Sequence, residues 1–377
     1  MKHFFTLMLT LMLAMVFIGC SDDDDDDDGN VVGPASGDGI AVVNTAGDDE
    51  ANLSVLDFVK GVAYKDLLPL AGTSNLTQYG DYVYIVDKDG DRIVKFDPVN
   101  RTAVGEMSTG PNSSPNSIVF ASSSKAYVSM SDSAQVKIVN PSSMTATGSI
   151  DISEMADDDG DPDQGHAVIH NGRLYVSLRR SSGRSLTDHS SLAVIDIESD
   201  TVVGEIILAT NGIAGSSKNS IGGQVGGASS VGGPLYPYVV GSVSDDADGA
   251  IELVDTEAMT TSIVMSETEI GGNITLWVFN TATTGWAIVG ESDTSGGEGW
   301  GLNSFDLTAR TFTPVSTFQK SYYCWALDYT NDGLVLVGSN DEDEPGVWIF
   351  DSNNDYAPVF EEPISVGLLP KRILVVR

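Results

Sequence analysis

Leu174-Tyr175-Val176-Ser177-Leu178, Leu192-Ala193-Val194-Ile195-Asp196 and Thr201-Val202-Val203-Gly204-Glu205-Ile206 are three strand-length apolar runs separated by polar residues. Val, Ile and Tyr suit a pleated, half-buried surface, and short runs of them bounded by Gly, Asn, Asp and Ser read as β-strands rather than helix. The same triplet stands upstream as Ala126-Tyr127-Val128-Ser129-Met130, Gln135-Val136-Lys137-Ile138-Val139-Asn140 and Ala146-Thr147-Gly148-Ser149-Ile150. Before that it is Asp81-Tyr82-Val83-Tyr84-Ile85-Val86, Arg92-Ile93-Val94-Lys95-Phe96-Asp97 and Thr102-Ala103-Val104-Gly105-Glu106-Met107. One sheet-sized unit is repeated, helical patterning is nearly absent, and the chain reads as all-β.

A short polar residue closes the middle run of each unit: Asp57, Asp97, Asn140, Asp196, Asp255, Asp306 and Asp351. An Asx side chain there accepts backbone N–H groups from the tight turn that follows. A spacing of roughly 40 to 60 residues is that of propeller blades, each a four-stranded antiparallel sheet. The expected architecture is a seven-bladed β-propeller over residues 39–377. Its first unit opens on Ile40-Ala41-Val42-Val43 without an inner strand, while Ile373-Leu374-Val375-Val376 form an inner strand without a blade. The C-terminal strand is expected to pair with the first blade and close the ring, hiding the edges of an open stack.

These units resemble the YVTN-repeat propellers, with Tyr-Val, Val-Ile-Asp and Val-Val-x-x-Ile strands. The likeness is clearest in the second to fourth units. In the later ones Tyr238-Val239-Val240, Trp286-Ala287-Ile288-Val289 and Leu334-Val335-Leu336-Val337 replace the Tyr-Val strand. The resemblance implies fold more than activity.

Lys2 and His3 followed by the apolar run Phe4 to Ile18 read as an export signal, too short to span a bilayer comfortably. Its end, Val16-Phe17-Ile18-Gly19-Cys20, resembles the lipobox of bacterial lipoproteins, with Phe17 where that family usually has Leu. The expected organisation is a signal peptide over 1–19, then a lipidated Cys20 and an acidic tether over 20–38, then the propeller. The run Asp22 to Asp28 repels itself and has nothing to bury. The expected location is the cell envelope, anchored by lipid at Cys20 to the outer membrane on its periplasmic or surface face, with the protein a monomer.

The chain carries a net charge of −35, which repels nucleic acid and anionic lipid. Beyond Cys20 only Cys324 remains, so no intramolecular disulfide is expected, and Cys324 reads as a small buried hydrophobe. The long connections, among them Ser153 to Gly165, Arg179 to Ser190 and Ala209 to Gly233, should collect on one face, where binding usually resides.

Arg179, Arg180 and Arg184 form a basic island on that face, with His166, Asn116 and Arg372 beginning inner strands at the channel mouth and Trp300 beside a loop. Asn75, Asn273 and Tyr323 begin further inner strands, whereas Trp277, Trp286, Trp325 and Trp348 should pack between blades. The cations either hold an anionic ligand or neutralise the neighbouring acidic loop. In that loop Asp157, Asp159, Asp161 and Asp163 are either Ca²⁺ ligands or solvated turn residues; no EF-hand spacing is complete, and no cofactor is required.

No Gly-x-Ser-x-Gly elbow, metalloprotease His motif or phosphate loop is present. The expected function is non-catalytic binding of a protein, glycan or small molecule through the loop-rich face. The alternative implied by the resemblance is a propeller enzyme, lactonase-like or quinoprotein-dehydrogenase-like, with its site at the channel mouth.

Overall fold

The computed structural model describes residues 39–47, 50–157, 160–179, 181–182, 185–186, 190–210, 213–214, 221–222, 234–240, 249–290, 300–315, 324–341 and 345–377. They lie in one compact unit, Pro34–Arg377. The proposed signal, Cys20 and the acidic tether fall outside the described residues.

Asn75–Tyr79, Tyr82–Asp87, Arg92–Asp97 and Thr102–Ser108 form a meander in which each strand is antiparallel to its predecessor. The pattern recurs over 115–151, 164–207, 273–314 and 324–358. A sixth sheet joins distant segments: Leu369–Val375 lies antiparallel to Ile40–Ala46, which continues to Ala51–Asp57 and Val62–Leu70. The fold is a β-propeller.

The expected seven blades of four strands are corrected: among the described residues the four-stranded blades number six. The exception lies between 207 and 266. There Tyr236–Val240 carries two two-residue pieces, Ile213–Ala214 and Ile221–Gly222, besides its partner Ala250–Asp255, so that sheet has five members and no single inner strand. The sequence from Gly212 to Gly233 is rich in Gly and Ser, residues of low strand propensity, with only isolated Ile and Val.

Inner strands stand side by side around the axis: Leu369–Val375 touches Asn75–Tyr79 and Cys324–Tyr329, and Pro115–Ser122 touches Asn75–Tyr79 and Gln164–His170. Each apolar cluster draws on two neighbouring sheets. Val42, Leu53 and Val55 pack with Val83, Ile85 and Phe96, and Tyr127 and Val136 pack with Ile169, Leu174 and Val176. A single blade therefore has no core of its own.

Two repeated polar devices set the stacking. Each Asx residue accepts backbone N–H groups from the turn after it, as Asp97 does from Val99 and Asn100 and Asp306 from Thr308 and Ala309. Asp57, Asn140, Asp196, Asp255 and Asp351 do the same. The second device is an aromatic side chain that reaches forward to that turn in the next sheet. Tyr84 Oη donates to the Pro141 carbonyl at 3.3 Å, Tyr127 Oη to the Ile197 carbonyl at 3.2 Å, and Trp286 Nε1 to Tyr356 Oη at 2.9 Å.

Closure is latched by Asp328. Its Oδ2 accepts from Val375 N at 2.7 Å and its Oδ1 from Arg377 Nη2 at 2.7 Å, while Arg377 N donates to Gln78 Oε1 at 2.8 Å. Asp328→Ala strands a buried cation and a backbone donor, and is expected to lower unfolding free energy by about 3 kcal/mol in denaturant titrations. A loss below about 0.5 kcal/mol, the range of an ordinary surface change, would show that closure does not rest on this carboxylate.

Candidate functional site

Near their starts, on the side of the long connections, five inner strands lose register against the next strand by one residue. Pro115 and Ser117 pair with Met130 and Ser129, leaving Asn116 extra. Thr275 is extra between Ile274 and Leu276, Trp325 between Cys324 and Ala326, and Lys371 between Pro370 and Arg372. In Gln164–His170 the slip falls at Gly165-His166. Such bulges turn a side chain out of the regular alternation. Asn116, His166 and Thr275 are half-buried between buried neighbours, Lys371 is half-buried between buried Pro370 and half-buried Arg372, and Trp325 is 38% exposed. The result is a crown of side chains at the channel mouth.

A chain of hydrogen bonds runs around part of this crown. Arg372 Nε donates to Asn75 Oδ1 at 2.9 Å, and Asn75 Nδ2 to the Asn116 carbonyl at 2.6 Å. Asn116 Nδ2 then donates to Ser131 Oγ at 3.2 Å, and Ser131 Oγ to the Gln164 carbonyl at 3.1 Å. The guanidinium of Arg372 also donates through Nη1 to the Lys371 carbonyl at 2.6 Å. Among the described residues no carboxylate lies within ion-pair distance of it.

Burial pushes the Arg372 guanidinium well below its ordinary value, yet a guanidinium starts so high that it stays charged at neutral pH. His166 is pushed down to about 4, first by burial and then by the positive charge of Arg372. Its imidazole is therefore neutral, and its Nε2 is buried without a hydrogen-bond partner.

His166, Asn116 and Arg372 thus meet at one mouth, joined by Asn75. Arg179 follows the strand next to Gln164–His170; its backbone N–H donates to the Asp163 carbonyl at 3.2 Å and its Nε is buried without a partner. Arg180, Arg184, Tyr323 and Asp159 lie outside the described residues. Trp300 is half-buried against Gly290, the partner of Asn273, where a Cβ would come within 2.2 Å of its ring. Trp277 and Trp286 are buried and Trp348 is half-buried in the clusters between sheets, whereas Trp325 was expected there too and instead projects from a bulge.

Asp163 N donates to Asp161 Oδ1 at 3.0 Å. Among the described residues no three His, Cys, Asp or Glu side chains gather as a metal would need.

Two acidic residues of the strand hairpin that ends at Asp97 have structural tasks. Asp87 is fully buried, ion-paired to Arg92 Nε at 2.7 Å and accepting from Ala71 N at 3.1 Å. Burial raises Asp91, but the backbone donors of Ser114, Asn112 and Ser113 outweigh it and hold the carboxyl below its usual range. Cys324 is buried, as a small hydrophobe should be.

No protein-family model matches the sequence, and no curated protein does. Solved structures share its fold. The chain is similar to Kuenenia stuttgartiensis hydrazine synthase, with a TM-score of 0.53 at 13% identity over 79% of this chain and 87% of that one. It is similar to apo AztD from Citrobacter koseri, with a TM-score of 0.51 at 13% identity over 89% and 96%. For dihydro-heme d1 dehydrogenase NirN in complex with DHE the TM-score is 0.50 at 12% identity over 90% and 75%. At such identities the likeness is one of fold, a β-propeller, and carries no ligand or activity with it.

His166 binds its proton less readily in the folded chain than an unfolded His does, so as pH falls through about 6.5 the unfolded chain is protonated first. Stability should decline from about pH 6.5 down to about pH 4 on this account and level off below. In His166→Gln the denaturation midpoint should vary less steeply across that window; an unchanged slope would mean that the imidazole titrates as if solvated.

Proposed function

We propose that the protein is a non-catalytic binding propeller whose channel mouth receives a small anion. One observation carries this reading: Arg372, half-buried at the mouth, has no carboxylate within ion-pair distance among the described residues, and the His166 it acts on has an Nε2 with no hydrogen-bond partner. Polar and charged groups left short of partners in a partly desolvated site are unfavourable, and a bound anion supplies what they lack. Binding rather than turnover is supported by the isolation of His166, which engages neither a carboxylate nor a hydroxyl through Nε2, so no acid–base pair is assembled there. A net charge of −35 disfavours extended polyanions and leaves small ones as the natural occupants.

Acetate and inorganic phosphate, titrated calorimetrically into the purified chain, are expected to bind in the millimolar range. Arg372→Gln should weaken that binding about ten- to hundredfold, the worth of a charge-assisted hydrogen bond. If neither anion binds, or the substitution leaves affinity where it was, the channel-mouth reading fails.

The repeat residues support a place among YVTN-like propellers, and the Gly19-Cys20 pair supports delivery to the envelope as a lipoprotein, held by acyl chains with the acidic segment as a spacer. From Ser21 to Asp38 that spacer reaches roughly 60 Å when fully extended. Cys20→Ser should move the protein from the detergent phase to the aqueous phase on Triton X-114 partition; equal partition of both forms would exclude the anchor.

A further inference from the structure

We infer that the propeller docks on a phospholipid surface through two adjacent hairpin tips, residues 58–61 and 98–101, at the point where the chain from Cys20 enters the fold. This rests on the lipoprotein reading and adds the face that meets the lipid. The tips follow Asp57 and Asp97 and lie at the end of the ring away from the channel mouth, since Asp57 pairs with Ile40 and Ala41 with Val375, whereas the mouth begins at Leu369. All seven Asx tips are among the described residues. Of them, these two alone expose a large apolar side chain, Val59 at 43% and Val99 at 65%. The other five present small, polar or acidic residues, and Arg310 among them is held by Glu269. Val62 and Tyr64, also exposed, extend the apolar area along the strand Val62–Leu70.

Cations stand among these apolar groups and face outward. At the first tip the Lys60 side chain is 70% exposed, while its partner Asp57, 2.7 Å away, is 15% exposed and also accepts from Lys60 N within the turn. At the second, Asp97 is engaged by Val99 N and Asn100 N, and Arg101 lies 3.9 Å over the Tyr64 ring, joining the two tips. Asp57 pushes the Lys60 ammonium above its ordinary value and the charge of Arg101 works against it, so both cations share one neighbourhood. Glu361 and Glu362 line a groove with Lys65 on the flank, which leaves the area near neutral. Exposed Val beside outward Lys and Arg fits a zwitterionic phospholipid surface, whose phosphates take the cations and whose acyl boundary takes the valines. The chain arrives at this same place: the Gly39 carbonyl accepts from Phe58 N at 3.0 Å, and a Cβ on Gly39 would come within 2.9 Å of Val59. Anchored through Cys20, the tips meet the bilayer at an effective concentration of about a millimolar, so weak intrinsic affinity suffices, and acids farther than about 8 Å away are screened.

The test places the lipidated full chain on vesicles of phosphatidylcholine and reads an NBD fluorophore attached at Val99→Cys, with Ala309→Cys, at the tip of the sheet over 273–314, as the control. Cys324 is buried and Cys20 is consumed by the lipid, so the label goes to the introduced thiol. On vesicles the Val99 probe should be reduced by dithionite at least about fivefold more slowly than in the Cys20→Ser chain in solution, and be quenched by doxyl-labelled phosphatidylcholine, while the Ala309 probe changes less than about twofold. Lys60→Glu together with Arg101→Glu, both at exposed side chains, should abolish that difference without releasing the chain from the vesicles. Equal reduction rates at the two sites on a chain that floats with the vesicles would overturn the docking and leave the anchor standing. Protection of the Val99 probe in native envelope membranes but not on protein-free vesicles would give the tips to a protein partner and overturn the lipid assignment. A chain with Cys20 intact that does not float with the vesicles would overturn the lipoprotein reading and the docking with it.

Discussion

The antiparallel pairing of Leu369–Val375 with Ile40–Ala46 is the contact on which the rest of the molecule depends. It brings residues from opposite ends of the chain into one sheet and buries Val375 and Leu374 against Ala41, Val42 and Val43. It also delivers Lys371 and Arg372 to the mouth of the channel. Arg372 reaches Asn75 across a separation of 297 residues, so the hydrogen-bonded part of the crown exists only once the ring has closed. Any excursion that opens this seam dismantles that arrangement along with the closure, so under the proposed binding role ligand affinity and ring integrity would be thermodynamically linked at that one strand.

Between seams, the blades are held by apolar packing that is directional only because polar groups make it so. Apolar faces of similar composition could slide; a Tyr or Trp hydroxyl or N–H that must find the turn carbonyl or hydroxyl of the next sheet cannot. Buried carboxylates do similar work on the opposite side. Asp87 gathers Ala71 N and Arg92, and Glu252 accepts from Ala209 N at 3.0 Å and Thr210 N at 2.7 Å, tying the connections between successive sheets. Each of these acids is worth little as an attraction in itself, and a good deal as a group that must not be left unpaired.

The strands and turns were legible because they rest on local chemistry. Alternation, β-branched residues and the Asx position each act within a few residues, and Asp57 through Asp351 sit where that logic placed them. The fifth unit was not, since the Asx turn at Asp255 signals an outer hairpin and says nothing of whether the Gly-rich segment before it supplies one inner strand or two fragments. Asp87 was not legible either, because acidity is visible in sequence and the partner that buries it, Arg92, is not. The crown was half legible: the inner strands' polar starts were evident at Asn116, His166 and Arg372, but the bulges depend on how two strands register. That is why Trp325, apolar and within a strand-like run, read as core.

An acidic protein with a cationic mouth has a further consequence for how a ligand arrives. The surface field slows the approach of any anion, and a strongly charged one most, while the low-dielectric channel strengthens the attraction of Arg372 once the ligand is inside. Encounter and capture therefore favour different charges, and for the proposed anion site a ligand of low charge would be the compromise between them. Raising ionic strength screens the exposed acids more than the enclosed guanidinium, so the repulsion during approach fades before the attraction in the bound state does. The fold contributes to this division by carrying Lys371 and Arg372 on an inner strand, Leu369–Val375.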